Sequence, residues 1–302
     1  MSQSTTPGNG HNKKALHFHH PPQRVVSLVP SYTESMFDLG LGEFVVGITD
    51  YCIHPAEGTA NLPRLGGTKD PRLGEIIDLQ PELVLANWEE NTRYTVESLE
   101  ANGLAVWVTF PKTVRQALDV LWTLVGLFHS QTAMVRLEML ELTLDWAVSA
   151  AAERESLPGF CPIWSDHTQE GVEWWMTFNQ ETYSHDLLAL LGFKNVFGER
   201  QRLYPLEADL GLAQPEDPDE RDTRYPCVRL EEIEAAQPQV LLLPSEPFAF
   251  DESHRQHLEA SLPSTPAVQA GRVHLVDGSL IAWPGTRLAH ALRELPALLV
   301  ET

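Results

Sequence analysis

One helix, Gln-Pro, strand pattern occurs twice, and it constrains the fold more than any other feature. Arg72–Leu85 (RLGEIIDLQPELVL) returns as Arg229–Leu242 (RLEEIEAAQPQVLL). In both copies a short helical stretch meets a proline, which cannot continue a helix and pushes the residue before it toward extended geometry. The apolar run that follows reads as a strand buried on both faces, as in parallel sheets. A second echo precedes each copy in the same relative order. Leu39-Gly40-Leu41 leads to Val45 and Gly47, and Leu191-Gly192-Phe193 leads to Val196 and Gly198. The echoes lie about 150 residues apart, one domain length. The expected fold is therefore α/β, with two Rossmann-like lobes and parallel-type sheets. A ligand cleft between the lobes is the expected place of action.

The 302 residues suffice for two domains, and a hydrophobic content of 43% allows each to bury a core. Expected boundaries are a disordered leader over 1–23, a first lobe over 24–128, a connecting helix over 129–157 and a second lobe over 158–302. Gln131 to Ser156 carries the longest helical pattern, with Leu137, Leu140, Leu144 and Val148 at three- and four-residue steps. Such a helix is a stiff connector.

A formal net charge of -21 argues against nucleic acid as a partner, which requires a Lys/Arg surface, and disfavours anionic membrane surfaces. No apolar run is long enough to span a membrane. Met1 to Gln23 lacks the apolar core of a secretory signal. His17, His19 and His20 flank Phe18 there as a weak metal-binding cluster, with a plain disordered leader as the preferred reading. The 3 cysteines, Cys52, Cys161 and Cys227, form no CxxC pair, so a reducing compartment is the default.

Residues just past the strands carry the functional expectation, because open α/β sheets bind ligands there. Ser31, Tyr32 and Thr33 follow the first strand, where Ser31 or Thr33 is expected to cap a helix. Asn87, Trp88 and Glu89 follow the repeat's first strand. Trp174, Trp175 and Trp283 are placed at comparable strand ends in the second lobe. Aromatics at such positions suit a large, flat, partly apolar ligand, with ordinary core packing as the competing reading. Cys52 and His54 are candidate metal ligands in the loop after the second strand, and His167 and His185 could complete a site, but their spacing matches no zinc signature. Nucleophile elbow, phosphate loop and HExxH motifs are all missing, which lowers the expectation of an enzyme.

Several segments resemble the helical-backbone class of substrate-binding proteins that serve ABC importers of vitamin B12, ferric siderophores and haem. They are Arg24 to Glu34 (RVVSLVPSYTE), Asn61 to Gly67 (NLPRLGG), Leu73 to Leu85, Leu191 to Phe197 (LGFKNVF) and Leu230 to Leu242. Pro-Ser-Tyr-Thr-Glu and Gly66 to Lys69 (GGTK) look most like the cobalamin-binding branch. The resemblance implies two lobes on one rigid helix, a chelate clamped between them and no intrinsic cofactor. It also implies acidic residues that dock on an ABC permease. Glu231 matches in the second lobe, while the first-lobe position falls on Gly74 with Glu75 beside it. The expectation is a monomeric protein, not an enzyme, holding a cobalamin-like metal chelate. It would be periplasmic or extracellular by resemblance, and cytoplasmic if no export signal exists. The alternatives are ferric siderophore or haem binding on the same fold, a cytoplasmic corrinoid or metal-chelate enzyme, and a bare divalent-metal receptor. The scarce basic candidates, Lys69, Arg72, Arg93 and Arg287, disfavour polyanionic siderophores.

Overall fold

In the computed structural model, residues 18–300 are described. His17 of the histidine cluster lies outside them. Two compact units divide the chain. One runs to Phe110 and includes Thr123–Ala133; the other holds Pro111–Trp122 and everything from Met134 onward.

The first unit contains β1 (Val25–Ser27), α1 (Pro30–Asp38), β2 (Val45–Ile48), α2 (Ala56–Thr59), α3 (Leu73–Asp78), β3 (Leu83–Asn87), α4 (Arg93–Ala101) and β4 (Val106–Thr109). Its sheet is parallel with the order β2-β1-β3-β4. β1 and β3 are buried along their whole length, as their apolar runs require. Val26, Leu28 and Val84 pack with Leu65, Ile76 and Leu99 as its core.

Two helices follow, α5 (Val114–Phe128) and α6 (Gln131–Ala152), and the chain passes from unit to unit within each. Ser130 Oγ accepts from Ala133 N at 3.2 Å and starts α6. Pro111–Trp122 groups with the second unit although the sequence alone draws the boundary near 128. The backbone N–H of Val114 donates to Asp186 Oδ2 at 2.7 Å, and Lys112 pairs with Glu181 at 3.6 Å.

The second unit continues with β5 (Leu157–Phe160), β6 (Trp164–His167), β7 (Glu173–Met176), α7 (Tyr183–Leu190), β8 (Phe193–Asn195), α8 (Leu206–Asp209) and β9 (Cys227–Val228). It ends with α9 (Leu230–Ala236), β10 (Val240–Pro244), α10 (Glu252–Ser261), α11 (Pro266–Gln269), β11 (Val273–Val276), α12 (Ser279–Ala282) and α13 (Leu288–Glu294). Its parallel sheet has the order β8-β5-β10-β11. That order repeats the first unit's, strand for strand, with β3 and β10 as the repeat's two strands. The likeness reaches the backbone: Gln80 and Gln237, just before the two prolines, both sit in the left-handed region at φ 46 and 48.

The connecting helix ends at Ala152, earlier than expected, because Leu157 already pairs with Phe193 in β5. Pro158-Gly159 reads locally as a turn but lies inside this strand. Glycine is required there because a Cβ would fall inside the Phe193 ring. A second sheet, β6-β7-β9, is antiparallel and was not legible as such in the sequence. The three cysteines are all free and buried. Among the described residues no helix is long and apolar enough to cross a membrane.

Candidate functional site

In the first unit the parallel strands all end on one side, and the expected residues gather there. α1 begins at Pro30 with Val29 as its cap residue and no side-chain cap. Ser31 and Thr33 therefore do not cap it; both are buried inside the first turns. Thr33 Oγ1 donates to Val29 O at 3.1 Å and to Cys52 Sγ at 3.1 Å. Tyr32 is buried, and its hydroxyl bonds Thr109 Oγ1 at the end of β4. Burial pushes its pKa up to about 12.

At the end of β3 an asparagine pair shapes the loop. Asn87 N donates to Asn91 Oδ1 at 2.9 Å, and Glu89 N donates to Asn87 Oδ1 at 2.8 Å. Asn91 Nδ2 donates to Thr68 O at 2.9 Å, and Lys69 Nζ donates to Glu89 O. The 66–69 loop and the 87–91 loop are thereby tied together. Trp88 is held by its N–H to Thr109 O at 3.0 Å, yet 45% of it is exposed. Burial raises the pKa of Glu90 beside it, against the opposing pull of Lys69.

The loop after β2 carries the candidate metal ligands Cys52 and His54, but its larger contribution is apolar surface. Tyr51 is 63% exposed and Ile53 is exposed too, while Cys52 between them is fully buried. A Cβ on Gly67 would lie 3.8 Å from Tyr51 Cε2, so Tyr51 stands against the same 66–69 loop. Sequence reading missed Tyr51, because Tyr51, Cys52 and Ile53 are all apolar and show no polar alternation to mark which side chain faces outward. Cys52 Sγ also bonds Thr49 Oγ1 at 3.1 Å, and burial raises its thiol pKa. A buried, protonated thiol is a poor ligand for a bulky chelate. His54 is half-buried, not sealed like Cys52. Among the described residues no three His, Cys, Asp or Glu side chains converge on a possible metal ion, so neither these two nor His167 and His185 build a bare-ion site.

In the second unit the strand ends hold a different set. Ser245 N donates to Val276 O at 2.9 Å, and Gly278 N donates to Ser245 Oγ at 3.1 Å, joining the ends of β10 and β11. Asp277 Oδ1 accepts from Ser279 N at 3.0 Å. Asn179 Oδ1 accepts from Glu181 N at 3.0 Å just before α7, the same asparagine turn as at Asn87. Trp283 is half-buried after α12, with the Arg287 guanidinium 5.3 Å from its ring centroid. A Cβ on Gly278 would lie 2.6 Å from Glu246 N and O. Gly278→Ala must therefore shift backbone and is expected to cost about 1–3 kcal/mol. Gly126→Ala, in α5 with nothing nearby, should instead stabilise by up to about 1 kcal/mol. Urea titration of both variants checks the pair.

Trp174 and Trp175 are not at strand ends of the parallel sheet. They lie on β7, the central strand of the antiparallel sheet. Trp174 packs with Leu210 and Cys227. Trp175 is 1% exposed, stacked on Phe250 at 5.7 Å, inside the main core of its unit. The two docking candidates occupy matching repeat helices and are both exposed. Glu75 on α3 accepts from Arg72 Nε at 2.7 Å, and Glu231 on α9 lies 3.9 Å from Arg229 Nη1.

Comparison with known proteins places this geometry in a family. A profile described as periplasmic binding protein matches residues 25–280. A vitamin B12-binding protein of Photorhabdus laumondii is 26% identical over 185 residues, 61% of this chain and 64% of the relative. The chain thus spans less than two thirds of that relative's length. The crystal structure of a periplasmic vitamin B12 binding protein of Vibrio cholerae superposes with a TM-score of 0.70 at 20% identity, covering 92% of this chain and 97% of that one. A periplasmic heme-binding protein of Roseiflexus sp. RS-1 gives a TM-score of 0.67 at 22% identity, covering 91% and 97%. These likenesses show the fold, and the family is one of substrate-binding proteins rather than enzymes. By its profile and its doubled α/β architecture, the chain belongs to the periplasmic binding protein family.

Proposed function

We propose that this protein binds a metal chelate, most closely a cobalamin or related corrinoid, for import through an ABC permease. The observation that carries the reading is the exposed indole of Trp88 at a strand end, with Tyr51 in the neighbouring loop and Lys69 holding the two loops in place. An exposed aromatic face of this kind suits a broad, partly apolar macrocycle. Similarity to vitamin B12-binding proteins supports the corrinoid over other chelates. The basic residues point the same way. Arg72 and Arg93 pair with Glu75 and Glu97 on their own helices, at 2.7 and 2.6 Å. These pairings reduce the positive charge that Arg72 and Arg93 offer a polyanionic siderophore. His54 is the proposed axial ligand in preference to Cys52, and Trp283 is the proposed contact from the second unit. Glu75 and Glu231 are the proposed permease contacts.

Calorimetric titration with cobalamin tests the reading. Saturable binding is expected, weakened at least tenfold, or about 1.4 kcal/mol, by Trp88→Ala. Tight haemin binding beside silent cobalamin would replace the corrinoid by haem, and silence toward both would remove the chelate.

A further inference from the structure

α6 has two apolar faces. Ala133, Leu137, Leu140 and Leu144 are buried, as a core-facing stripe must be. On the opposite side Val135, Met139, Leu142 and Trp146 recur at steps of four, three and four, and all are exposed, Met139 by 56% and Trp146 by 72%. The spacing is that of a helix-pairing seam, and the stripe runs for about 16 Å. Four large apolar side chains exposed in one row on one helix face are unusual on a protein surface and mark an interaction site.

Beside the stripe lies a cavity of about 500 Å³, with Leu144, Val148 and Leu190 among its lining. Asp145, Asp186 and Arg115 also line it. Arg115 is engaged by Glu141 at 2.8 Å, and Asp186 Oδ2 accepts from Val114 N. Asp145 makes no ion pair among the described residues, so the cavity keeps an acidic balance. Glu138 adds a further carboxylate along the same edge of the stripe.

We infer that the outer face of α6 and this cavity form a docking surface for a basic amphipathic helix of a partner protein. The partner's apolar seam lies on the four exposed side chains, and a Lys or Arg beside that seam enters the cavity toward Asp145 and Asp186. Charge selects this occupant over a second copy of the chain. An antiparallel copy would bring Glu138 and Asp145 against carboxylates of its own kind, and each chain carries a net charge of -21.

The test uses the full chain and a fluorescently labelled peptide of leucines in heptad register flanked by lysines, read by anisotropy. Saturable binding is expected, weakened at least tenfold by Met139→Ser with Trp146→Ser and several-fold by Asp145→Asn. Leu142→Lys, a second variant on the same stripe, should also weaken it at least tenfold. A lysine peptide with serines in place of leucines should bind the native chain no better than the leucine peptide binds the double variant. Thermal melts of these surface variants should match the native chain. Unchanged affinity in the double variant and in Leu142→Lys would reduce the effect to bulk charge and overturn the proposal. Equal binding of a glutamate-for-lysine peptide would overturn it as well. So would sedimentation of the native chain as a dimer that the double variant dissolves, since a second copy would then cover the face.

Discussion

Trp175→Ala is expected to cost about 3–5 kcal/mol of folding stability, while Trp88→Ala leaves stability within about 0.5 kcal/mol. Both residues were candidates for the same ligand-facing role, and their surroundings separate them. Trp175 stacks on Phe250 and lies within a cluster that includes Phe160, Phe197, Leu241 and Leu243. Truncation there removes apolar contact and leaves a cavity that neighbouring strands cannot collapse into, because β7 is held by partners on both sides. Trp88 has its backbone fixed by Thr109 and 45% of its surface in solvent, so its loss leaves no sealed cavity in the core. Urea denaturation reads the first effect. Ligand titration reads the second variant, where affinity should fall while stability holds. Equal stability losses in the two variants would contradict the placement of both.

The second large effect concerns alkaline pH. Burial raises the thiol pKa of Cys52 and Cys161, and raises that of Cys227 from 9.0 to about 12. It likewise raises the phenol of Tyr183, and that of Tyr32 from 10.0 to about 12. For acids whose folded pKa is raised, the neutral form is favoured in the fold. Their stabilisation is fully present below the unfolded pKa and is lost as pH rises through the folded pKa. Below 9.0 neither state ionises these thiols. Above it the unfolded chain releases protons that the folded chain retains, and a group that is still protonated in the fold withdraws about 1.4 kcal/mol per pH unit. The tyrosines join from 10.0 upward. Five such groups make the fall steep, so urea midpoints should drop sharply between about pH 9 and about pH 11. Cys161→Ala should lower stability at neutral pH yet flatten the alkaline slope, since desolvation alone raises that thiol. A midpoint constant across this range would contradict the buried thiols.

The repeat was legible because each part is local. Helix, Gln-Pro and apolar strand are set by neighbours in sequence, and they stand as α3 with β3 and α9 with β10. β5 begins where the sequence alone still expects the connecting helix, and Pro158-Gly159 breaks the local strand pattern; what holds β5 in the sheet is pairing with β8 and β10, both distant in sequence. The antiparallel sheet was hidden for the same reason, as β9 pairs with β7 across some fifty residues. Side-chain roles divide similarly. Trp88 was readable as a strand-end aromatic, whereas the burial of Trp174 and Trp175 depends on elements far along the chain. Tyr51 does not stand out in the sequence, because it lies in a run of apolar residues, and only the fold turns Cys52 inward and Tyr51 outward.

The central claim, a chelate receptor on a doubled α/β scaffold, meets its most direct test in a visible absorption titration of the purified protein with cobalamin. The account predicts a saturable change in the corrinoid bands at one equivalent, altered by His54→Ala and weakened by Trp88→Ala. Spectra of the added corrinoid that stay those of the free compound, with haemin equally unaffected, would contradict it.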